Sequence, residues 1–268
     1  IPGSPAGKLQ SAMTRRELAS LLAAAIAPGI RLIAHRGGVV DGERPENSPG
    51  AVRAAIERGY WMIEVDVRRA KDGEPVLYHD NNFSKYFATS ARVEDLTWPE
   101  LRRLTSQPGG TSPLHFEELC AACGTAGMRL MLDLKGQWEP GFYRRLLQVM
   151  TDNRVPQPIW SLGGPRVRPL FDGQVVTSIN RKTLQAALDN NEPVAERYFL
   201  FELGSELDQP TIQLARRHKV TSVAAINTFR YTMARRDEWE GPKEDVARLR
   251  GLGVDHYQVD SRYEPLFA

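Results

Sequence analysis

Residues 61–79 read Trp61-Met62-Ile63-Glu64-Val65-Asp66-Val67-Arg68-Arg69-Ala70-Lys71-Asp72-Gly73-Glu74-Pro75-Val76-Leu77-Tyr78-His79. Two apolar runs stand here with little between them but the turn Lys71-Asp72-Gly73. A parallel crossover needs a dozen or more residues, so the second run must return antiparallel, as a hairpin. The first run is therefore counted as a sheet strand and the second, Pro75 to His79, is not. Working outward, β-branched and aliphatic runs recur near 31–35, 61–67, 129–134, 158–161, 174–178, 197–202, 220–226 and 256–260. Helical patterns with start and stop signals fall between most of them, at 48–59, 97–104, 116–126, 141–152, 181–190, 208–219 and 243–251. Eight strands alternating with helices predict a (β/α)8 TIM barrel with a hairpin return strand after strand two. The expectation is one domain over residues 1–268.

Composition agrees with a globular chain. Of 268 residues, 41% are hydrophobic and 25% charged, which excludes disordered, collagenous and coiled-coil classes. Thirty-five basic and 33 acidic residues give a net charge of +2, and no basic stripe with interleaved aromatics marks a nucleic-acid footprint. Mean hydropathy is −0.40 and no apolar run reaches the length of a transmembrane segment. Cys120 and Cys123 form a single C-x-x-C with no second pair to complete a zinc site, and they read as small core residues on one helix face.

At the N-terminal end, residues 1–13 read as an extended tail and 14–26 as an extra helix, with Thr14 and Glu17 as a capping box. Arg15-Arg16 before the apolar stretch Leu18 to Ala27 also fits a twin-arginine export signal. The helix is the preferred reading. With Ile1 in place of an initiator Met, the export-like pair favours an extracytoplasmic location, periplasmic or secreted. The last strand ends eight residues before the C-terminus, too close for a closing helix, so helix 14–26 is expected in that place or beneath the barrel.

Barrel strands are buried on both faces and should be almost wholly apolar. Two are not. Period two puts Met62, Glu64 and Asp66 on one face of their strand, and Met131, Asp133 and Lys135 on one face of another. Buried unpaired, these charges would cost several kcal/mol each, so they need one another or a cation. An ion-pair layer would satisfy them structurally. Three carboxylates gathered in a mouth also suit one divalent cation, Mg2+ or Ca2+. His35 closes strand one and His79 closes the hairpin, so both reach the carboxylate end. Paired imidazoles near a divalent cation suit acid and base work on a phosphoester. Arg36 and Lys135 are cations placed to take phosphate oxygens, and Gly37-Gly38 would let backbone approach an anion closely. His115, His218 and His256 read as ordinary surface or core histidines.

These residues resemble a family. His35-Arg36-Gly37, Pro45-Glu46-Asn47-Ser48, Glu64-x-Asp66-Val67, Asp72-Gly73 and Val76-x-x-His79-Asp80 are similar, in order and spacing, to the signature of glycerophosphodiester phosphodiesterases. Arg92-Val93-x-Asp95-Leu96-Thr97 with Glu100-Leu101 continues the likeness. A looser similarity covers Asp133-x-Lys135, Asn227 and the ending Gly253-Val254-Asp255 with Asp260. The resemblance implies a barrel enzyme that uses a divalent cation to hydrolyse phosphodiesters, most simply glycerophosphodiesters to glycerol 3-phosphate and an alcohol. Its histidines map to His35 and His79 as acid and base. Its metal ligands map to Glu64, Asp66 and Asp133, with Glu46 as a further ligand or neighbour. Arg36 and Lys135 would grip the phosphoryl group, with Asn227 a further substrate contact. The expected partner is a small phosphodiester or a lysolipid.

The chain also departs from the pattern. Family members usually carry Glu where Asp133 stands, and Asp-x-Lys is similar instead to the spider-venom phospholipases D of the sphingomyelinase D type. The aromatic usual before Asn227 is replaced by Val223-Ala224-Ala225-Ile226, and Phe83-Ser84-Lys85-Tyr86 replaces a polar stretch. An alternative activity is thus phospholipase D-like, forming a cyclic phosphate from lysophospholipids or sphingomyelin. Phe83, Tyr86 and Phe87 would either bind an acyl chain or pack under a loop. A non-catalytic phosphoester-binding barrel is the reading from a different class.

Overall fold

The computed structural model describes residues 27–268, so the tail and helix expected over 1–26 lie outside the described residues. All eight predicted barrel strands form. In chain order the strands are β1 (Arg31–Ala34), β2 (Met62–Arg69), β3 (Pro75–Leu77), β4 (Leu114–His115), β5 (Arg129–Leu134), β6 (Ile159–Ser161), β7 (Val175–Ile179), β8 (Tyr198–Leu203), β9 (Thr221–Ile226) and β10 (His256–Val259). Eight of them make a parallel ring, β1-β2-β5-β6-β7-β8-β9-β10, which closes where Ala34 of β1 pairs Val259 of β10. On its other side Ala34 pairs Ile63 of β2. The hairpin strand β3 runs antiparallel to β2 with Leu77 opposite Val67, as the short turn requires. Strand β4 adds to the far edge of β3 and is only two residues long, too short to show a period.

The helices are α1 (Pro49–Glu57), α2 (Trp98–Leu101), α3 (Phe116–Ala126), α4 (Pro140–Asp152), α5 (Arg181–Asp189), α6 (Gln209–Arg217), α7 (Thr228–Met233) and α8 (Glu240–Gly251). Several of their starts follow side-chain capping. Ser48 Oγ accepts from the Ala51 amide at 3.2 Å, Asn180 Oδ1 from Thr183 at 2.8 Å, and Asp208 Oδ1 from Thr211 at 2.9 Å. A 3-10 helix, Pro165–Phe171, follows β6 in place of an α-helix, and Pro169 within it has no amide to donate. Another, Ser261–Phe267, follows β10, and the Ala27 amide donates to Phe267 O at 2.8 Å. No helix among the described residues is long and apolar enough to cross a membrane.

Strand period two divides the core. Ile63, Val65 and Val67 of β2, with Leu130 and Leu132 of β5, face the helices in one large cluster. Cys120 and Cys123 of α3 lie in that cluster, both buried and free, and burial pushes the Cys123 thiol up to about 12. Inside the barrel a second cluster joins Ile33, Met62, Met131, Trp160, Phe199 and Val223. Trp160 stacks on Phe199 with ring centroids 4.4 Å apart, a plug of side chains in the lower barrel. A third cluster lies under the hairpin: Val76, Tyr78, Phe83, Phe87, Val93 and Leu101. Of the three aromatics after His79, then, Phe83 and Phe87 are packed under a loop and only Tyr86 remains partly exposed.

Candidate active site

The chemistry-bearing side chains meet at the carboxylate end of the ring. Glu64 and Asp66 rise from β2 above Met62, and Asp133 stands in register with Asp66 on β5. Single carboxylate oxygens of Glu64, Asp66 and Asp133 all lie within 4.8 Å of one another. Lys135, just past β5, puts Nζ 2.9 Å from Asp66 Oδ1 and 2.6 Å from Asp133 Oδ2. Asn47 holds the other oxygen of Asp66: its Nδ2 donates to Oδ2 at 2.7 Å, and its Oδ1 accepts from the Asp66 amide at 3.2 Å.

Glu64 is placed differently. It is 1% exposed, accepts from the Arg36 amide at 2.8 Å, and pairs with no Lys or Arg among the described residues. Burial, then the charges of Asp66 and Asp133, push its carboxyl well above the usual carboxylate range. Burial acts to raise Asp66 too, but Lys135, His79 and Asn47 outweigh it and hold that carboxyl below its ordinary value. Lys135 in turn is held above the usual lysine value, since Asp66 and Asp133 overcome its desolvation. The pocket thus contains three carboxylates and one ammonium, and one of the three, Glu64, has no cationic Lys or Arg side chain beside it among the described residues. An all-oxygen set of this kind fits a hard divalent cation, which would supply the charge that Glu64 lacks.

His35 stands over this cluster with Nε2 4.0 Å from Glu64 Oε2. Its Nδ1 lies 2.6 Å from Asp260 Oδ1, and Asp260 Oδ2 accepts from the Thr228 amide at 2.6 Å. Burial acts to raise the Asp260 carboxyl, but these two partners hold it below the usual range. An ionised Asp260 can only accept, so Nδ1 of His35 donates and Nε2 is the nitrogen that faces the carboxylates. His79 repeats the pattern, with Nδ1 2.7 Å from Asp80 Oδ1. Its Nε2 lies 3.1 Å from Arg36 Nη2, and because a guanidinium only donates, Nε2 of His79 is an acceptor here.

Arg36 joins the two imidazoles. Its backbone is left-handed at φ 52° and ψ 50°, which aims its amide at Glu64 while its guanidinium crosses to His79 and to Glu46, 2.9 Å away. Buried Glu46 also accepts from Lys85 Nζ at 2.8 Å, through the same oxygen. The two glycines that follow Arg36 have another use than the one read from sequence. A Cβ at Gly37, where φ is 80°, would fall 2.6 Å from Asn47 Cα, and one at Gly38 would collide with Ala51 O. Close backbone approach occurs here, but to α1 and the chain before it rather than to an anion.

A cavity of about 640 Å3 opens beside His35 and Arg36 and is bounded further out by Tyr86, Phe229, Met233 and Arg262. Asn227 does not line it. That side chain is buried at the end of β9 and donates to Gln258 Oε1 at 3.1 Å. His115 and His256 pair with Glu74 and Asp255, away from the mouth.

Sequence reading had no role for Asp260, Asn47, Asp80 or Lys85. The signal for Asp260 was its place at the end of the last strand, which ring closure brings beside strand one. For Asn47 it was a polar residue next to Glu46 in a stretch otherwise read for its carboxylate.

The sequence pattern of the Glycerophosphoryl diester phosphodiesterase family matches residues 35–237, well over half of the chain. The chain is similar to human Glycerophosphodiester phosphodiesterase 1, with 33% identity over 117 residues, 40% of this chain and 34% of that protein. It thus spans about a third of the length of that relative. Its fold is similar to a Glycerophosphoryl diester phosphodiesterase from Parabacteroides distasonis, with a TM-score of 0.69 at 20% identity over 92% of this chain and 90% of that one. A phosphodiesterase from Oleispira antarctica, solved in complex with the product sn-glycerol-3-phosphate, gives 0.67 at 19% identity, covering 90% and 95%.

Proposed function

The chain belongs to the glycerophosphoryl diester phosphodiesterase family, and from that premise we propose that it hydrolyses glycerophosphodiesters to glycerol 3-phosphate and an alcohol at the barrel mouth. The observation that carries this reading is the meeting of His35, Arg36 and His79 above the Glu64, Asp66 and Asp133 carboxylates. The product named for the Oleispira antarctica neighbour supports the choice of glycerol as the retained half.

Glu64, Asp66 and Asp133 would hold one divalent cation, Ca2+ or Mg2+. Such an ion supplies Lewis-acid stabilisation of phosphoryl charge. The remaining steps belong to side chains. Arg36, tied to Glu46 and beside His79, presents a guanidinium to the phosphoryl oxygens, and Lys135 adds a second positive charge at the edge of the carboxylates. Hydrolysis needs one proton removed from the attacking hydroxyl and one delivered to the departing alcohol. His35 and His79 take these two tasks, each with its Nδ1 held by an aspartate so that Nε2 meets the substrate.

The test is a panel of phosphodiesters followed by phosphorus NMR, with and without a chelator. The expected result is glycerol 3-phosphate formed only with Ca2+ or Mg2+ present. No turnover of any glycerophosphodiester or aryl phosphodiester with either ion would overturn the reading. A persistent cyclic phosphate would move the activity toward the phospholipase D type.

A further inference from the structure

His79 has a weaker mooring in the sheet than His35. Strand β1 leads straight into His35, and Asp260 meets its ring from the far side of the closed seam. Strand β3, by contrast, ends at Leu77, two residues short of His79. The Tyr78 amide still donates to Asp66 O at 3.0 Å, and there the ladder stops. The irregular stretch beyond carries an imidazole whose nitrogens meet Asp80 on one side and Arg36 on the other. Both contacts persist only if the backbone beneath the ring is itself fixed.

The group that fixes it is Arg68. By period two it follows Glu64 and Asp66 on the same face of β2, and it is 5% exposed. Its guanidinium donates through Nε to Tyr78 O at 3.2 Å, and through Nη2 to His79 O at 2.8 Å and Asn81 Oδ1 at 2.9 Å. Its Nη1 donates to Glu94 Oε1 at 3.1 Å. Glu94 belongs to the 3-10 turn Val93–Asp95, whose Val93 is buried in the cluster under the hairpin. Burying a guanidinium carries a desolvation penalty that an apolar anchor would avoid. What the guanidinium supplies instead is a rigid planar fork that sets two successive carbonyls at one angle, which an ammonium cannot do.

We propose that Arg68, braced by Glu94, is a positioning residue that holds His79 in register with Arg36 for proton transfer. This rests on the phosphodiesterase reading of the site and adds to it a part that reaches the backbone of His79 and not its ring. It also gives a task to the stretch around Val93, which the chemistry of the mouth leaves unused.

Rates and ring signals test it together. R68M and R68K are each expected to lower kcat for glycerophosphocholine by about 10²-fold with KM little changed, the effect of misplacing a reacting group by about 1 Å. R68K keeps the charge and loses the fork, so it should not restore the rate. E94A removes only the brace, at a partly exposed side chain, and should give a smaller loss of the same kind. It carries the test if circular dichroism shows the Arg68 variants unfolded. The deciding comparison is with H79A. If Arg68 acts through His79, adding R68M or E94A to H79A should cause no further loss. Losses that multiply, or wild-type kcat in the folded single variants, would overturn the clamp and leave His79 its role.

The second readout needs no turnover. Nitrogen spectra of the histidine rings, recorded above the usual imidazole range, should show His79 as one tautomer with Nδ1 protonated, its signals assigned by their loss in H79A. In R68M or E94A those signals should move toward the average of two exchanging tautomers while those of His35 stay in place. His79 signals that do not move in a folded variant sink the proposal. Failure of the wild type to turn over any glycerophosphodiester strikes the phosphodiesterase reading instead, and the ring signals then decide whether Arg68 holds His79.

Discussion

The two ends of the barrel interior are built on the same strands and obey opposite rules. On β2 the inward row runs Met62, Glu64, Asp66, and on β5 it continues from Met131 to Asp133. The lower members join Ile33, Trp160, Phe199 and Val223 in a cluster that is complete in itself. Two residues further along, the same face carries charges that are satisfied only by groups from elsewhere: Asn47 before α1, Lys135 after β5, and the Arg36 backbone. The lower layer holds the ring together by dispersion and burial. The upper layer is held in place by the lower one and contributes little to it. Stability and chemistry therefore separate along a strand within about two residues.

That separation can be broken by experiment. The largest effect should come at the top with little effect on the fold: H35A and H79A are each expected to lower kcat by about 10²–10⁴-fold, while losing no more than the roughly 1.5 kcal/mol of one charged hydrogen bond. Circular dichroism melts alongside steady-state rates check this, and a large loss of stability in either variant would erase the distinction. At the bottom the reverse is expected. F199A should cost about 3–5 kcal/mol in denaturant unfolding while the folded fraction keeps near-normal kcat, because Phe199 stacks on Trp160 in the lower cluster, which holds neither His35 nor His79.

A smaller effect concerns the carboxylates. Saturating Ca2+ or Mg2+ should stabilise the wild type by about 2–3 kcal/mol at a hundredfold excess over Kd, and E64Q should lose most of that gain. Without the ion E64Q should be no less stable than wild type, since it removes a buried charge that no cationic side chain balances. A strongly destabilised E64Q would place Glu64 with the lower layer instead.

The smallest expected change is at Asp260. Its carboxyl titrates lower in the fold than in the unfolded chain, so its contribution is full above the usual carboxylate range and is lost as pH falls through the lowered value. D260N should remove about 1.5 kcal/mol near neutral pH and flatten that part of the acid dependence, as read by urea unfolding at several pH values.

How much of this was legible in the chain follows the same division. The ring was readable because each strand is a local apolar run and the Lys71-Asp72-Gly73 turn leaves no room for a crossover. The inward row of Glu64, Asp66 and Asp133 was readable because period two is a local rule. What a local rule cannot reach is a partnership made by closure. His35 and Asp260 are 225 residues apart and meet only because β1 lies beside β10. The helix α7 was missed because six residues are too few for a helical period, yet it supplies Phe229, Met233 and the Thr228 amide on Asp260. Gly37 and Gly38 were read for an anion and serve the packing of the chain against itself, a distinction that depends on distances no spacing contains.

The seam between β1 and β10 has a consequence in time as well as in space. During synthesis Asp260 emerges 225 residues after His35, so the nascent chain can order its carboxylates before it can orient that imidazole. A ribosome stalled anywhere before residue 260 carries a growing barrel whose His35 Nδ1 still has no aspartate, and β10 supplies that partner only when it closes the ring.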